Sequence, residues 1–263
     1  MKKYLVIGNP IEHSLSPKLH NYWFKKKNID AFYEKKKVNE NEIEEVINEV
    51  KKDKIEGINI TVPFKKSVIP FLDKLTPLAQ EAQSVNTIYK ENNKIIGHNT
   101  DIAGFELALK SINYDVKNKK VFILGAGGVV SSIIIALKKM QVSKIFLSNR
   151  TKKKAENFKK IYSNLEILDW GKVPDFNMVI NATSLGLKAN DEIKLNYEEI
   201  GINKLFYDVI YNPKETLFLT KAKKYGNQIE NGKMMFIYQA HQAFALWNKV
   251  LPNIDNETIK LLD

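Results

Sequence analysis

The chain has 263 residues, 44% hydrophobic and 27% charged, with no cysteine, which excludes disulfide scaffolds, thiolate metal sites and thiol nucleophiles. It carries 41 basic against 30 acidic residues, a net charge of +11, yet Arg150 is the sole arginine, so the bases read as a lysine-rich solvated surface rather than a nucleic-acid face. Lysines break every apolar run before the roughly 18 residues of a membrane span, and the run after Met1-Lys2-Lys3 is too short for a signal peptide, so a cytoplasmic location is expected.

In chain order, strand and helix patterns alternate. Tyr4 to Ile7 is a short apolar strand ending at Gly8, and Ser16-Pro17 opens a helix with Leu19, Trp23 and Phe24 on one side. Ala31 to Tyr33 reads as a second strand, Glu40 to Val50 as an amphipathic helix, and Gly57 to Val62 as a strand stopped by Pro63. Val85 to Tyr89 and Lys94 to Ile96 flank Glu91-Asn92-Asn93 as a hairpin. A helix over Asp101 to Asn113 bridges to a second series: strand Val121 to Leu124, helix Val129 to Met140, strand Lys144 to Ser148, helix Lys152 to Tyr162, and strands Met178 to Ile180 and Leu205 to Tyr207. Met234 to Val250 closes as one long helix. Alternation occurring twice implies two α/β domains with crossover helices and parallel sheets.

Gly125-Ala126-Gly127-Gly128 stands between a buried-strand pattern and a helix pattern, where a tight turn presents bare N–H groups to a pyrophosphate. Val130 takes the place of the third glycine of the usual dinucleotide fingerprint, and a merely structural turn is the plainer alternative. The next strand ends at Ser148-Asn149-Arg150-Thr151, where an NAD site calls for an acid on the ribose. Here the lone arginine stands instead, beside Thr151 and Lys152 to Lys154, a set suited to a 2′-phosphate and hence to NADP. Read as a surface base, Arg150 would oppose the dipole of the helix it precedes.

Three polar segments mark the first half. Gly8 to Pro17 holds Ser14 and Ser16 at a helix start, two hydroxyls able to bind a carboxylate; Gly57 to Lys65 places Asn59 and Thr61 on one face with Lys65 just beyond; Asn99 to Gly104 puts Asp101 at the opening of the bridging helix. Taken singly, Asp101 reads as a helix cap, Lys65 as a surface lysine and the serines as loop residues. Taken together, at strand ends of one sheet, they read as a ligand site. His13, His20, His98 and His241 lack metal-ligand spacing.

The chain resembles shikimate dehydrogenase. The resemblance rests on Gly8-x-Pro10-x-x-His13-Ser14-x-Ser16-Pro17-x-x-His20-Asn21, Gly57-x-Asn59-x-Thr61-x-Pro63-x-Lys65, Asn99-Thr100-Asp101-x-x-Gly104, the glycine cluster and Asn149-Arg150-Thr151. It continues through Asn181-Ala182-Thr183-Ser184-x-Gly186, Asp208-x-x-Tyr211-x-Pro213-x-x-Thr216 and Gln239-Ala240, in the family's order over nearly the whole chain. Asn231 stands where an aspartate is common, and Met234 where a glycine is usual.

The resemblance implies NADPH-dependent reduction of 3-dehydroshikimate to shikimate, on the route to aromatic amino acids. It implies a substrate domain over 1–101 plus 238–263 with a mostly parallel sheet, and a Rossmann-type NADP domain over 102–237. Ser14, Ser16 and Tyr211 would hold the substrate carboxylate; Asn59, Thr61, Asn86, Asp101 and Gln239 would bond the ring hydroxyls; Lys65 and Asp101 would form the catalytic pair. Gly125, Ala126, Gly127, Gly128 and Val129 would line the cofactor with Asn149, Arg150, Thr151 and Lys154, while Asn181, Ala182, Thr183 and Met235 would lie near the nicotinamide. A quinate/shikimate dehydrogenase with NAD or mixed cofactor use is an alternative, as is a non-catalytic NADP-binding protein. No metal, nucleic acid or membrane partner is expected, and a homodimer is an open assembly.

Overall fold

A computed structural model describes residues 1–188 and 190–263, which form two units, Met1–Phe105 with Ile237–Asp263, and Glu106–Phe236. The chain passes from one unit to the other inside two helices, α4 (Asp101–Ser111) and α9 (Lys233–Asn248).

The first unit contains β1 (Lys2–Gly8), α1 (Ser16–Lys26), β2 (Ala31–Lys37), α2 (Ile43–Lys51), β3 (Gly57–Ile60), β4 (Lys74–Leu75), α3 (Pro77–Ala82), β5 (Thr87–Glu91) and β6 (Lys94–His98), and later α10 (Asn256–Lys260). Its sheet runs β2-β1-β3-β5-β6-β4. β1, β2 and β3 pair parallel, but β5 is antiparallel to both β3 and β6, so this sheet is mixed. The reversal comes from the β5–β6 hairpin, whose Asn92 and Asn93 adopt φ of 50° and 59°. Asparagine tolerates those left-handed angles, which twist a two-residue turn to match its strands. β2 runs four residues past the apolar Ala31–Tyr33 because parallel pairing with β1 carries Glu34 to Lys37 along an exposed edge. β3 ends at Ile60, so Thr61 lies just past the strand that carries Asn59.

On one face of this sheet, α2 buries Ile43, Val46, Ile47 and Val50, spaced for a single helical stripe, against Leu5, Ile58, Ile60 and Ile88. An aromatic cluster of Tyr4, Trp23, Phe24, Tyr33, Phe244 and Trp247 packs α1 and the end of α9 around β1. Trp247 Nε1 donates to Ile88 O at 3.1 Å and lies so close that a Cβ on Gly57 would meet it at 2.2 Å.

The second unit contains β7 (Lys120–Leu124), α5 (Val130–Lys139), β8 (Lys144–Ser148), α6 (Lys152–Ile161), β9 (Leu165–Leu168), β10 (Met178–Asn181), α7 (Tyr197–Ile200), β11 (Leu205–Asp208), α8 (Leu217–Lys224) and β12 (Gln228–Glu230). Its sheet, β12-β11-β10-β7-β8-β9, is parallel throughout. The strand order reverses between β7 and β10, the switch point at which Rossmann-type sheets bind ligands. α5 is buried along nearly its whole length, which explains its run of Ile133, Ile134 and Ile135. Among the described residues, no helix is long and apolar enough to cross a membrane.

Candidate active site

In the first unit, β1, β3 and β6 run in one direction and β5 in the other, so the ends of the first three and the start of β5 share an edge. Ser14 and Ser16 follow β1, Thr61 and Lys65 follow β3, Asn86 precedes β5, and Asp101 follows β6 as the first residue of α4. The three polar segments of the sequence therefore converge. Backbone bonds fix the approach: Thr61 N donates to Ile7 O at 3.0 Å, and Val85 N to Lys65 O at 2.7 Å.

Lys65 Nζ donates to Asp101 Oδ2 at 2.7 Å, and the two side chains are only 13% and 8% exposed. Asn86 Nδ2 donates to the other carboxylate oxygen, Oδ1, at 2.9 Å, and approaches Gln239 Oε1 at 3.5 Å. The orientation of Asn86 is unambiguous because its Oδ1 faces the Thr100 backbone N–H, which can only donate, at 2.7 Å. Two carboxylate oxygens, each engaged by a different donor, hold the ammonium in one place. Asp101 is thus a carboxylate built into a network, not a simple helix cap.

Asn59 is 6% exposed, and its amide donates to Asn86 O at 3.0 Å and Thr87 Oγ1 at 3.1 Å, while Tyr33 OH donates to its Oδ1 at 2.7 Å. Thr100 belongs to the Asn99-Thr100-Asp101 motif, but nothing in the sequence marks it, Tyr33 or Thr87 as part of this network. Tyr33 sits in a strand whose pattern signals only packing, and the threonines look like ordinary β formers. Ser14 Oγ accepts from Ser16 N at 3.4 Å, so the two serines stand together at the start of α1.

In the second unit the glycine turn lies between β7 and α5. Gly125 has φ of +110°, and a Cβ there would meet Ala182 O at 2.7 Å, so the position requires glycine on both counts. Gly127 is exposed, and its Cβ would have nothing nearer than 3.8 Å, leaving open space above the turn. α5 has no side-chain cap and no acid in its first turn. A bare helix start behind a glycine turn fits a pyrophosphate.

Asn149, Arg150 and Thr151 follow β8, and Lys154 lies in the first turn of α6. Arg150 is exposed and forms no ion pair among the described residues, while the neighbouring Lys152 is engaged by Asp169 at 2.7 Å. The donor set, one free guanidinium with a hydroxyl and a lysine and no acid, fits a phosphate on the ribose.

At the end of β10, Asn181 is a knot. Its Oδ1 accepts from Thr183 N at 3.0 Å and Thr183 Oγ1 at 2.7 Å, and its Nδ2 donates to Leu185 O at 2.9 Å and Asp208 Oδ1 at 3.0 Å. Asp208 is fully buried at the end of β11, and burial pushes its carboxyl up to about 6, against the lowering effect of bonds from Thr216, Ile210 N and Asn181. Tyr211 packs on Phe236 with ring centroids 4.8 Å apart, and burial raises its phenol. Met235 is buried, with Met234 beside it half-buried. Asn231 accepts from Lys233 N at 3.0 Å and donates to Lys214 O at 2.9 Å. It therefore caps the start of α9 as an aspartate would, and adds a donor.

Comparison with known proteins identifies the family. Residues 6–88 match the family model of the shikimate dehydrogenase substrate binding domain, and residues 106–187 that of shikimate / quinate 5-dehydrogenase. The chain is 63% identical over 262 residues to the shikimate dehydrogenase (NADP(+)) of Pelagibacter ubique, covering 100% of this chain and 99% of that one. It is similar to the crystal structure of shikimate dehydrogenase from Aquifex aeolicus, with a TM-score of 0.90 and 37% identity over 100% of this chain and 97% of that one. It is also similar to the shikimate 5-dehydrogenase of Thermus thermophilus in complex with NADP(H) and shikimate, with a TM-score of 0.91 and 29% identity over 100% and 98% of the two chains. Two family models in the right order and a relative alike from end to end make this chain a member of the shikimate dehydrogenase family.

Proposed function

We propose that this chain catalyses the reversible, NADPH-dependent reduction of 3-dehydroshikimate to shikimate in the cytoplasm, on the route to chorismate. The unit Met1–Phe105 with Ile237–Asp263 takes the substrate, and the unit Glu106–Phe236 takes NADP. The observation that carries the reading is the Lys65–Asp101 pair, 2.7 Å apart and nearly buried where three strand ends converge.

When bound, NADPH supplies a hydride to the C3 carbonyl carbon of the substrate. The Lys65 ammonium stabilises the charge developing on the carbonyl oxygen and donates a proton to it from Nζ, leaving a neutral amine that solvent reprotonates. Asp101 keeps Lys65 in place and, with Asn86 on its other oxygen, cannot swing away. In the reverse direction the neutral Lys65 accepts the proton of the C3 hydroxyl. Ser14 and Ser16 hold the substrate carboxylate, and Asn59, Thr61, Asn86, Asp101 and Gln239 take the ring hydroxyls. Gly125, Ala126, Gly127, Gly128 and Val129 cradle the pyrophosphate, Asn149, Arg150, Thr151 and Lys154 the 2′-phosphate, and Asn181, Ala182, Thr183 and Met235 the nicotinamide.

Arg150, with no acid after β8, supports NADP over NAD. A single assay following nicotinamide absorbance, with shikimate or quinate against NADP⁺ or NAD⁺, tests the proposal. Shikimate with NADP⁺ is expected to exceed each other combination by about tenfold or more in kcat/KM, the scale of one charge-assisted contact. Turnover of quinate with NAD⁺ at an equal rate would refute it.

A further inference from the structure

Five side chains of the first unit form a hydrogen-bond chain in which every donor points the same way. Tyr33 OH donates to Asn59 Oδ1 at 2.7 Å, Asn59 Nδ2 to Thr87 Oγ1 at 3.1 Å, Thr87 Oγ1 to Asn86 Oδ1 at 3.0 Å, and Asn86 Nδ2 to Asp101 Oδ1 at 2.9 Å. The sense of Asn59 is set by chemistry. Its second amide hydrogen faces the Asn86 carbonyl at 3.0 Å, which can only accept, so nitrogen must lie there and oxygen must face Tyr33. Both amide hydrogens are thereby spent on protein, and one of the two lone pairs of Oδ1 is taken by Tyr33. What Asn59 retains for a ligand is a single acceptor site.

We propose that Tyr33 is a positioning residue that pins the oxygen of Asn59, whose amide hydrogens are already spent, so that this point of the substrate site selects a hydroxyl and rejects a carbonyl. The phenol is well fixed for that task. Tyr33 is 2% exposed, and its ring stacks on His20 with centroids 4.3 Å apart and planes 4° from parallel. The His20 ring is fully buried with neither nitrogen bonded among the described residues, and burial pushes it down to about 3, so it is a neutral wall that leaves the phenolic hydrogen to Asn59. Without Tyr33, the Asn59 oxygen would lose the partner that pins it, and a substrate hydroxyl there would meet a looser acceptor. Donors aligned in one direction also polarise one another toward Asp101.

The inference rests on the proposed reaction, and turnover of shikimate with NADP⁺ by the wild-type protein tests that reading separately. Tyr33→Phe keeps the stacked ring and removes the donor. Wild type and variant are compared on shikimate, 4-deoxyshikimate and 5-deoxyshikimate, each with NADP⁺. In wild type, one of the two analogues should carry a KM penalty for the hydroxyl missing at Asn59. In Tyr33→Phe, KM for shikimate should rise about three- to tenfold, the range of one neutral hydrogen bond, and that one penalty should shrink by a similar factor. The other analogue's penalty and the KM for NADP⁺ should hold. Both penalties unchanged, or both falling together, would overturn the assignment. Should the variant fail to fold, nitrogen-15 signals of the wild-type Asn59 amide decide: hydrogens that stay protected from exchange on shikimate binding support an acceptor-only role, and lost protection overturns it.

Discussion

At the scale of single residues, two buried titratable groups pull stability in opposite directions with pH. Burial lowers His20 from 6.5 to about 3, so the unfolded chain binds the extra proton across that window and His20 makes stability rise with pH there. Burial raises Asp208 from 3.8 to about 6, so the folded chain binds the extra proton and stability falls as pH rises through that range. Between about pH 4 and 6 the two slopes, each about 1.4 kcal/mol per pH unit, offset. Asp208→Asn removes one of them while an amide can still serve Asn181, Ile210 N and Thr216. Urea melts should therefore find the variant gaining on wild type by about 2–3 kcal/mol from about pH 4 to about pH 7. A difference that is the same at both pH values would contradict the buried charge. None of this was legible in the sequence. His20 and Asp208 stand out there only as members of motifs, because burial is a property of the packed fold. Tyr33 likewise lies in a run that spells strand and nothing more, and its role exists only because β1, β2 and β3 lie side by side.

At the scale of elements, the turn between β7 and α5 separates two uses of glycine. Gly125→Ala places a Cβ 2.7 Å from Ala182 O at a φ of +110°, so it should cost about 1–3 kcal/mol of stability, read from thermal or urea melts. Gly127→Ala meets no protein atom within 3.4 Å and should leave the melt within about 0.5 kcal/mol of wild type, while raising the Kd for NADP⁺ measured by calorimetry. Equal melts for the two variants would contradict the division. The turn was readable from sequence, since strand run, glycines and helix follow in order, but which glycine serves the chain and which the ligand was not. One turn further on, Arg150→Asp should lower kcat/KM for NADP⁺ by about 10–100-fold and narrow the preference over NAD⁺. An unchanged cofactor ratio would remove Arg150 from that role.

For the whole molecule, alternation of strand and helix made two α/β units plain, and every motif except Gln239-Ala240, which lies within α9, fell at a strand end because loops there are where such sheets bind ligands. The short strands β4, β9 and β12 and the helices α3, α7, α8 and α10 were not read. They are too brief for periodicity to declare itself, and their neighbours hold them in place. The first sheet is mostly parallel, as expected, and the place of its antiparallel strand was hard to read for a related reason. A hairpin was visible at Asn92-Asn93, but only the pairing of β5 with β3 turns it into an antiparallel centre.

What unites these scales, in the proposed mechanism, is a lysine held by a carboxylate where it would give up a proton. Steady-state kinetics of Lys65→Ala test that most directly. In that variant kcat should fall by about 10²–10⁴ in both directions while KM for shikimate stays within about threefold of wild type. A variant whose kcat survives while its affinity for shikimate collapses would mean that Lys65 binds substrate and does not move the proton.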